Sequence, residues 1–171
     1  PDPVWSRERW ETPDQDFIDV DWLQREHEAS AEASCKRASS LLPSMSTGHS
    51  ATAPSVLCVL FHGLEGSSRS HYARAWADQA RRRGWDLAVP HFRGCSGEIN
   101  RAPRAYHSGD YEEIGWILKR MRQRHVGCVL AVGVSLGGNA LMRWAQEAGA
   151  TARESVEAVC SVGSPLDLTA S

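Results

Sequence analysis

The sequence predicts an α/β protein: a mostly parallel sheet with flanking helices. Three observations carry this. Residues 56–61 form a continuous apolar run, the pattern of a strand covered on both faces. Further strand segments at 85–90, 128–134 and 156–162 alternate with amphipathic segments of helical period. Strand, helix, strand, helix, strand, helix, strand in that order calls for right-handed crossovers and parallel neighbours.

Taken along the chain, residues 1–24 hold two short candidate strands, at 9–11 and 17–23. The second alternates, with Phe17 and Ile18 offset from Val20, Trp22 and Leu23, which suits a half-exposed edge position. Residues 25–54 are rich in Ala, Ser and charge without periodicity and read as a flexible loop. The core spans 55–171. Its first helix, over 70–83, has an apolar stripe of Tyr72, Ala73, Trp76, Ala77 and Ala80, with Gly84 as its stop. In the second, Asp110 and Glu113 stand at capping-box spacing ahead of Ile114, Ile117, Leu118 and Met121. The third carries Leu136, Ala140, Leu141, Trp144 and Ala148 on one face and stops at Gly149. The first residue is not Met and the last follows a strand directly, so the sheet is expected to be truncated before its last strands.

Composition excludes several function classes. A net charge of -2 in 171 residues gives no basic surface for nucleic acid or anionic membranes. No apolar run reaches the length of a membrane span. Five cysteines, an odd number without a CxxC pair, argue against a disulfide framework or zinc knuckle and for a reducing, cytoplasmic setting.

In parallel sheets, ligands bind beyond the carboxyl ends of the strands. The loops after Phe61, Pro90, Val134 and Val162 are therefore the places to look. Gly133-Val134-Ser135-Leu136-Gly137 matches G-x-S-x-G where a buried strand meets a helix, the context of a nucleophile elbow. Glycines two before and two after Ser135 let neighbouring backbone approach without Cβ clashes, and the helix N-terminus favours developing negative charge. A helix-capping serine between packing glycines is the blander alternative. A dinucleotide-binding turn competes as well, but its middle glycine would fall on Ser135, where a side chain obstructs a pyrophosphate. His62-Gly63-Leu64-Glu65-Gly66 follows the first buried strand, where an oxyanion loop belongs. Amides of Leu64 and Leu136 suit the two oxyanion donors. His91, His107 and His125 are singletons without metal-ligand spacing. A reactive thiol at Cys95 is a lesser reading, because no activating partner is identifiable.

Residues 60–68, the stretch His91-Phe92-Arg93-Gly94-Cys95-Ser96-Gly97-Glu98, then Asn100-Arg101, Tyr106-His107-Ser108-Gly109 and the elbow through Asn139 together resemble the YheT-like α/β-hydrolases, a branch of esterases and lipases. The match runs from about Trp10 onward, apart from the loop at 25–54. The resemblance implies the α/β-hydrolase fold and cleavage of carboxylic esters by a Ser–Asp–His triad, with Ser135 as nucleophile. Short-chain esters or acylglycerols are the implied small-molecule substrates, and neither a metal nor an organic cofactor is required. No histidine follows Ser135, and Asp167 comes one strand before the family's usual acid. The remaining triad Asp and His are thus expected outside this chain. A non-catalytic binding or interaction protein on the same fold is the rival. Acyl chain length, alcohol and oligomeric state stay open.

Overall fold

The computed structural model describes residues 2–25 and 55–165. Residues 26–54, nearly all of the stretch read as a flexible loop, lie outside the described residues, as does Asp167. Among the described residues six strands form one sheet: β1 (Trp5–Glu11), β2 (Phe17–Leu23), β3 (Val56–Phe61), β4 (Asp86–Pro90), β5 (Cys128–Val134) and β6 (Ala158–Val162), in spatial order β1-β2-β4-β3-β5-β6. β1 and β2 form an antiparallel hairpin, and β2 is antiparallel to β4. β4, β3, β5 and β6 are mutually parallel. The helices are α1 (His71–Arg83), α2 (Tyr111–Arg124) and α3 (Leu136–Ala148). A 3-10 segment, Gly149–Glu154, which the sequence pattern did not announce, links α3 to β6.

The period-2 alternation of the central strands sorts their side chains into two layers. Leu57, Val59 and Phe61 face one side with Ala88, Val129 and Ala131, and meet Ile114, Ile117, Leu118 and Met121 of α2 and Ala140, Leu141 and Trp144 of α3. Cys58 and Leu60 face the other with Leu87, Val89 and Val132, against Ala73, Ala77 and Ala80 of α1. Each large side chain buried this way contributes about 1.5–3 kcal/mol relative to exposure. The chain leaves β3 toward β4 on one flank and returns to β5 on the other, with Phe61 paired to Gly133. The loops after β3 and β5 therefore emerge side by side at a topological switch point, where open α/β sheets place ligands.

Two local expectations give way to longer-range forces. β2 is interior, between β1 and β4, and Phe17 through Asp21 are all buried. Its alternating aspartates are neutralised by β1 rather than solvated. The register sets Arg9 opposite Asp19 and Arg7 opposite Asp21, and each guanidinium forks onto both carboxylate oxygens at 2.7–2.9 Å. The capping box of α2 does not form: Asp110 occupies the N-cap position without a side-chain cap. Its Oδ1 accepts from Arg104 Nη2 at 2.6 Å, and Glu113 Oε1 accepts from Arg93 Nε at 2.7 Å. Charge-assisted bonds to guanidinium groups win over a neutral amide.

Arg93 anchors the loop after β4. Its side chain is 2% exposed and pairs with Asp16 (2.7 Å), Asp14 (2.9 Å) and Glu113 (2.7 Å). Asp16 also accepts from the amides of Phe17 and Arg101 and from Asn100 Nδ2, all at 2.9 Å. Burial opposes its charge, but these donors hold its carboxyl well below the usual carboxylate range. Removing this buried guanidinium would leave Asp16 and Glu113 without the counter-charge it supplies. Arg93→Ala is expected to destabilise the fold by about 3–5 kcal/mol, measured by urea denaturation, and a loss below ~1 kcal/mol would contradict this role.

Candidate active site

Ser135 is the hinge between β5 and α3. Its backbone sits at φ 53° and ψ -118°, a conformation that L-residues adopt rarely. Its amide donates to the Val162 carbonyl at 2.9 Å, and its carbonyl accepts from the Asn139 amide and the Ser164 hydroxyl at 3.1 and 3.0 Å. The side chain does not cap the helix and the residue is only partly buried.

The surrounding glycines leave no room for a methyl group. A Cβ on Gly133 would lie 2.5 Å from the Gly137 carbonyl oxygen and 2.6 Å from Gly138 Cα. One on Gly137 would meet the Phe61 carbonyl at 2.6 Å. The first turn of α3 thus rests directly on the carboxyl end of β3. Gly63 completes the packing: a Cβ there would be 3.3 Å from Ser135 Cβ. The loop after β3 therefore passes immediately beside the serine.

That loop is held by its own short bonds. His62 is fully buried, with Nδ1 donating to the Gly63 carbonyl (2.8 Å) and Nε2 accepting from the Phe92 amide (3.0 Å). Both partners demand one neutral tautomer, and burial pushes its pKa down to about 4. His62 therefore ties the loop after β3 to the loop after β4 and has no free nitrogen for proton transfer. Leu64 is 69% exposed, and its backbone lies between two anchored neighbours. Among the described residues, neither the Leu64 amide nor the Leu136 amide, the first of α3, has a hydrogen-bond partner.

Three of the other described histidines are hydrogen-bonded elsewhere, and the fourth, exposed His71 at the start of α1, lies edge-on to the Tyr72 ring. His91 Nε2 meets Asp21 Oδ2 at 2.7 Å, His107 Nδ1 accepts from the Gly109 amide at 3.1 Å, and His125 Nε2 contacts the Ser55 carbonyl at 3.0 Å. Among the described residues none reaches Ser135. Burial raises the Cys95 thiol, against a hydrogen bond from Tyr106, so it is protonated at neutral pH. No group of three or more His, Cys, Asp or Glu among the described residues could hold a metal ion. None of the described helices is long and apolar enough to cross a membrane.

Residues that sequence reasoning missed form the support. Asp21 accepts from Arg7, His91 and the Ser68 hydroxyl (2.6 Å), joining the β1–β2 hairpin to the loops after β3 and β4. Burial works against its charge, yet these donors keep its carboxyl well below the ordinary range. Phe92 stacks on Tyr106 with centroids 5.2 Å apart and planes at 7°. An acidic residue in an alternating strand signals only a polar face, and its cationic partners are known only once the strands pair.

Two measurements follow from this geometry. Because the positive φ at Ser135 suits glycine, Ser135→Gly is expected to be more stable than Ser135→Ala by about 1 kcal/mol, reversing the usual order; equal stabilities in chemical denaturation would contradict the strained backbone. For His62, the unfolded chain binds a proton near pH 6.5 that the folded chain takes only near pH 4. Its contribution is therefore present above pH 6.5 and declines as pH falls toward 4, at up to about 1.4 kcal/mol per pH unit. His62→Gln should flatten the stability profile across that window, and an unchanged slope would contradict a neutral buried His62.

The comparisons with known proteins agree with this architecture. The family model described as alpha/beta hydrolase fold matches residues 57–171. Putative esterase YheT of Escherichia coli (strain K12) is 42% identical over 141 residues, covering 81% of this chain and 34% of that protein. The chain spans about a third or less of the length of the curated relatives it matches. Among solved structures, XC6422 from Xanthomonas campestris, an a/b serine hydrolase without lid, superposes with a TM-score of 0.59 at 15% identity, over 92% of this chain and 60% of that one. A predicted CIB-like hydrolase from Thermoplasma acidophilum gives 0.60 at 11%, over 96% and 66%. At such identities these structures speak for the fold alone. With its sheet order, the family match and the similarity to YheT in agreement, the chain belongs to the α/β-hydrolase fold family, in its YheT-like branch.

Proposed function

We propose that this chain carries the nucleophile and oxyanion half of a serine hydrolase that cleaves carboxylic esters. One observation supports it above the rest: Ser135 is held at φ 53° and ψ -118° at the N-terminus of α3, beside a loop whose Leu64 amide is unpartnered among the described residues. Such strain persists only where surrounding structure over-determines it, and it clusters at functional sites.

In this reading Ser135 Oγ attacks the ester carbonyl carbon while a histidine takes its proton. The carbonyl π pair moves to oxygen, and the Leu64 and Leu136 amides stabilise that oxyanion. Collapse breaks the acyl C–O bond, and the alcohol leaves with the proton held by the histidine. Water, deprotonated by the same histidine, then releases the carboxylic acid and restores Ser135. In this reading the base and its carboxylate partner are a His and an Asp outside these 171 residues, since in this fold both follow the nucleophile in chain order and no histidine follows Ser135. The substrate class is a small-molecule ester or an acylglycerol, in keeping with the esterase name of the relative YheT. No metal or organic cofactor enters these steps.

The test is hydrolysis of p-nitrophenyl acetate and butyrate by the full-length protein. Ser135→Ala is expected to remove the activity down to background, a loss of up to about a millionfold in kcat. Activity that survives Ser135→Ala would overturn the assignment of the nucleophile. A full-length protein inert toward esters of every chain length would favour the non-catalytic binding reading.

A further inference from the structure

The loop after β3 has four amides between Gly63 and Gly66, and three of them are committed. Gly63 N–H donates to the Tyr72 hydroxyl at 3.0 Å, Glu65 N–H to the Tyr106 hydroxyl at 2.9 Å, and Gly66 N–H to the Gly63 carbonyl at 3.0 Å. The Leu64 amide, between the two phenol-anchored positions, has no partner among the described residues. The two phenols come from separate elements, Tyr72 from the first turn of α1 and Tyr106 from the segment ahead of α2. Tyr106 is fixed by its stacking on Phe92, whose own amide is bonded to His62. Tyr72 lies so close to the loop that a Cβ on Gly66 would strike its hydroxyl oxygen.

The loop needs this help. Gly63 has no side chain to restrict it, and Glu65 sits at φ 51°. A backbone of this kind has several accessible peptide orientations. An oxyanion donor contributes only when its N–H lies about 2.7–3.1 Å from the developing charge. Burial raises the Tyr106 phenol, opposed by its bond to the Glu65 amide, so it remains a neutral acceptor across the working pH range.

We propose that Tyr72 and Tyr106 are positioning residues of the oxyanion site, clamping the amides on either side of Leu64 so that the Leu64 N–H stays turned toward the space above Ser135. This rests on the reading of Ser135 as nucleophile and Leu64 as donor. Removing either hydroxyl keeps the ring and its packing but frees one flanking amide, so the loss falls on the transition state rather than on substrate binding.

The test uses the full-length protein with Tyr72→Phe and Tyr106→Phe, assayed on a p-nitrophenyl ester and its thionoester counterpart. Sulfur is a poor acceptor, so the thionoester draws little from the oxyanion donors. Each variant is expected to lower kcat for the oxygen ester about tenfold with KM nearly unchanged, and to lower the oxygen-to-sulfur ratio of kcat/KM by about the same factor. Partial misfolding scales both substrates together and leaves that ratio unchanged, so it cannot imitate the result. An unchanged ratio in either variant, with hydrolysis still abolished by Ser135→Ala, would overturn the clamp and leave the nucleophile in place. Hydrolysis that survives Ser135→Ala would instead remove the reading on which the clamp rests.

Discussion

The close approach of three backbone segments at the carboxyl end of β3 governs the rest of this structure. The first turn of α3 lies on the Phe61 carbonyl, and the end of β5 lies on α3, at distances that exclude a Cβ at Gly133 and Gly137. With the chain so confined, the residue between them must turn sharply, and Ser135 takes the positive φ that results. The strain is local, whereas the forces that sustain it are distributed. The β3–β5 ladder pairs Val56–Phe61 with Cys128–Gly133, and α3 is buried through Ala140, Leu141 and Trp144.

A second layer of organisation fixes the loops around that turn, and it is ionic rather than apolar. The β1–β2 hairpin presents Asp16 and Asp21, each buried and each accepting from several donors. Asp16 holds Arg93, Asn100 and the Arg101 amide, and Asp21 holds Arg7, Ser68 and His91. Buried carboxylates of this kind are costly unless fully satisfied, so they define a single loop arrangement rather than a range of them. The hairpin is thus part of the site's foundation, although it contributes no group to the proposed chemistry.

The parts legible in sequence are those decided by neighbours within a few residues. The strands at 56–61 and 128–134 are legible from their apolar runs, and the helix at 136–148 from the helical spacing of its apolar residues. G-x-S-x-G is legible for the same reason, because the steric requirement lies within five residues. Partners far along the chain were not legible. The strand that carries Asp19 and Asp21 reads as a half-exposed edge because Arg7 and Arg9 become their neighbours only through strand pairing. Asp110 and Glu113 resembled a capping box because Arg93 and Arg104 arrive from the preceding loops. Tyr72 resembled one more residue of an apolar helix stripe, and only the folded position of its hydroxyl joins it to the loop at Gly63.

The central claim is that this packing exists to present Ser135 as a nucleophile. A fluorophosphonate probe, which esterifies an activated serine, tests it directly when the full-length protein is labelled and the modified peptide is located by mass spectrometry. The account predicts one adduct, on Ser135, that disappears when the protein is denatured before labelling. An adduct on another serine such as Ser68 or Ser164 with Ser135 unmodified, or no adduct in a protein that hydrolyses esters, would contradict it.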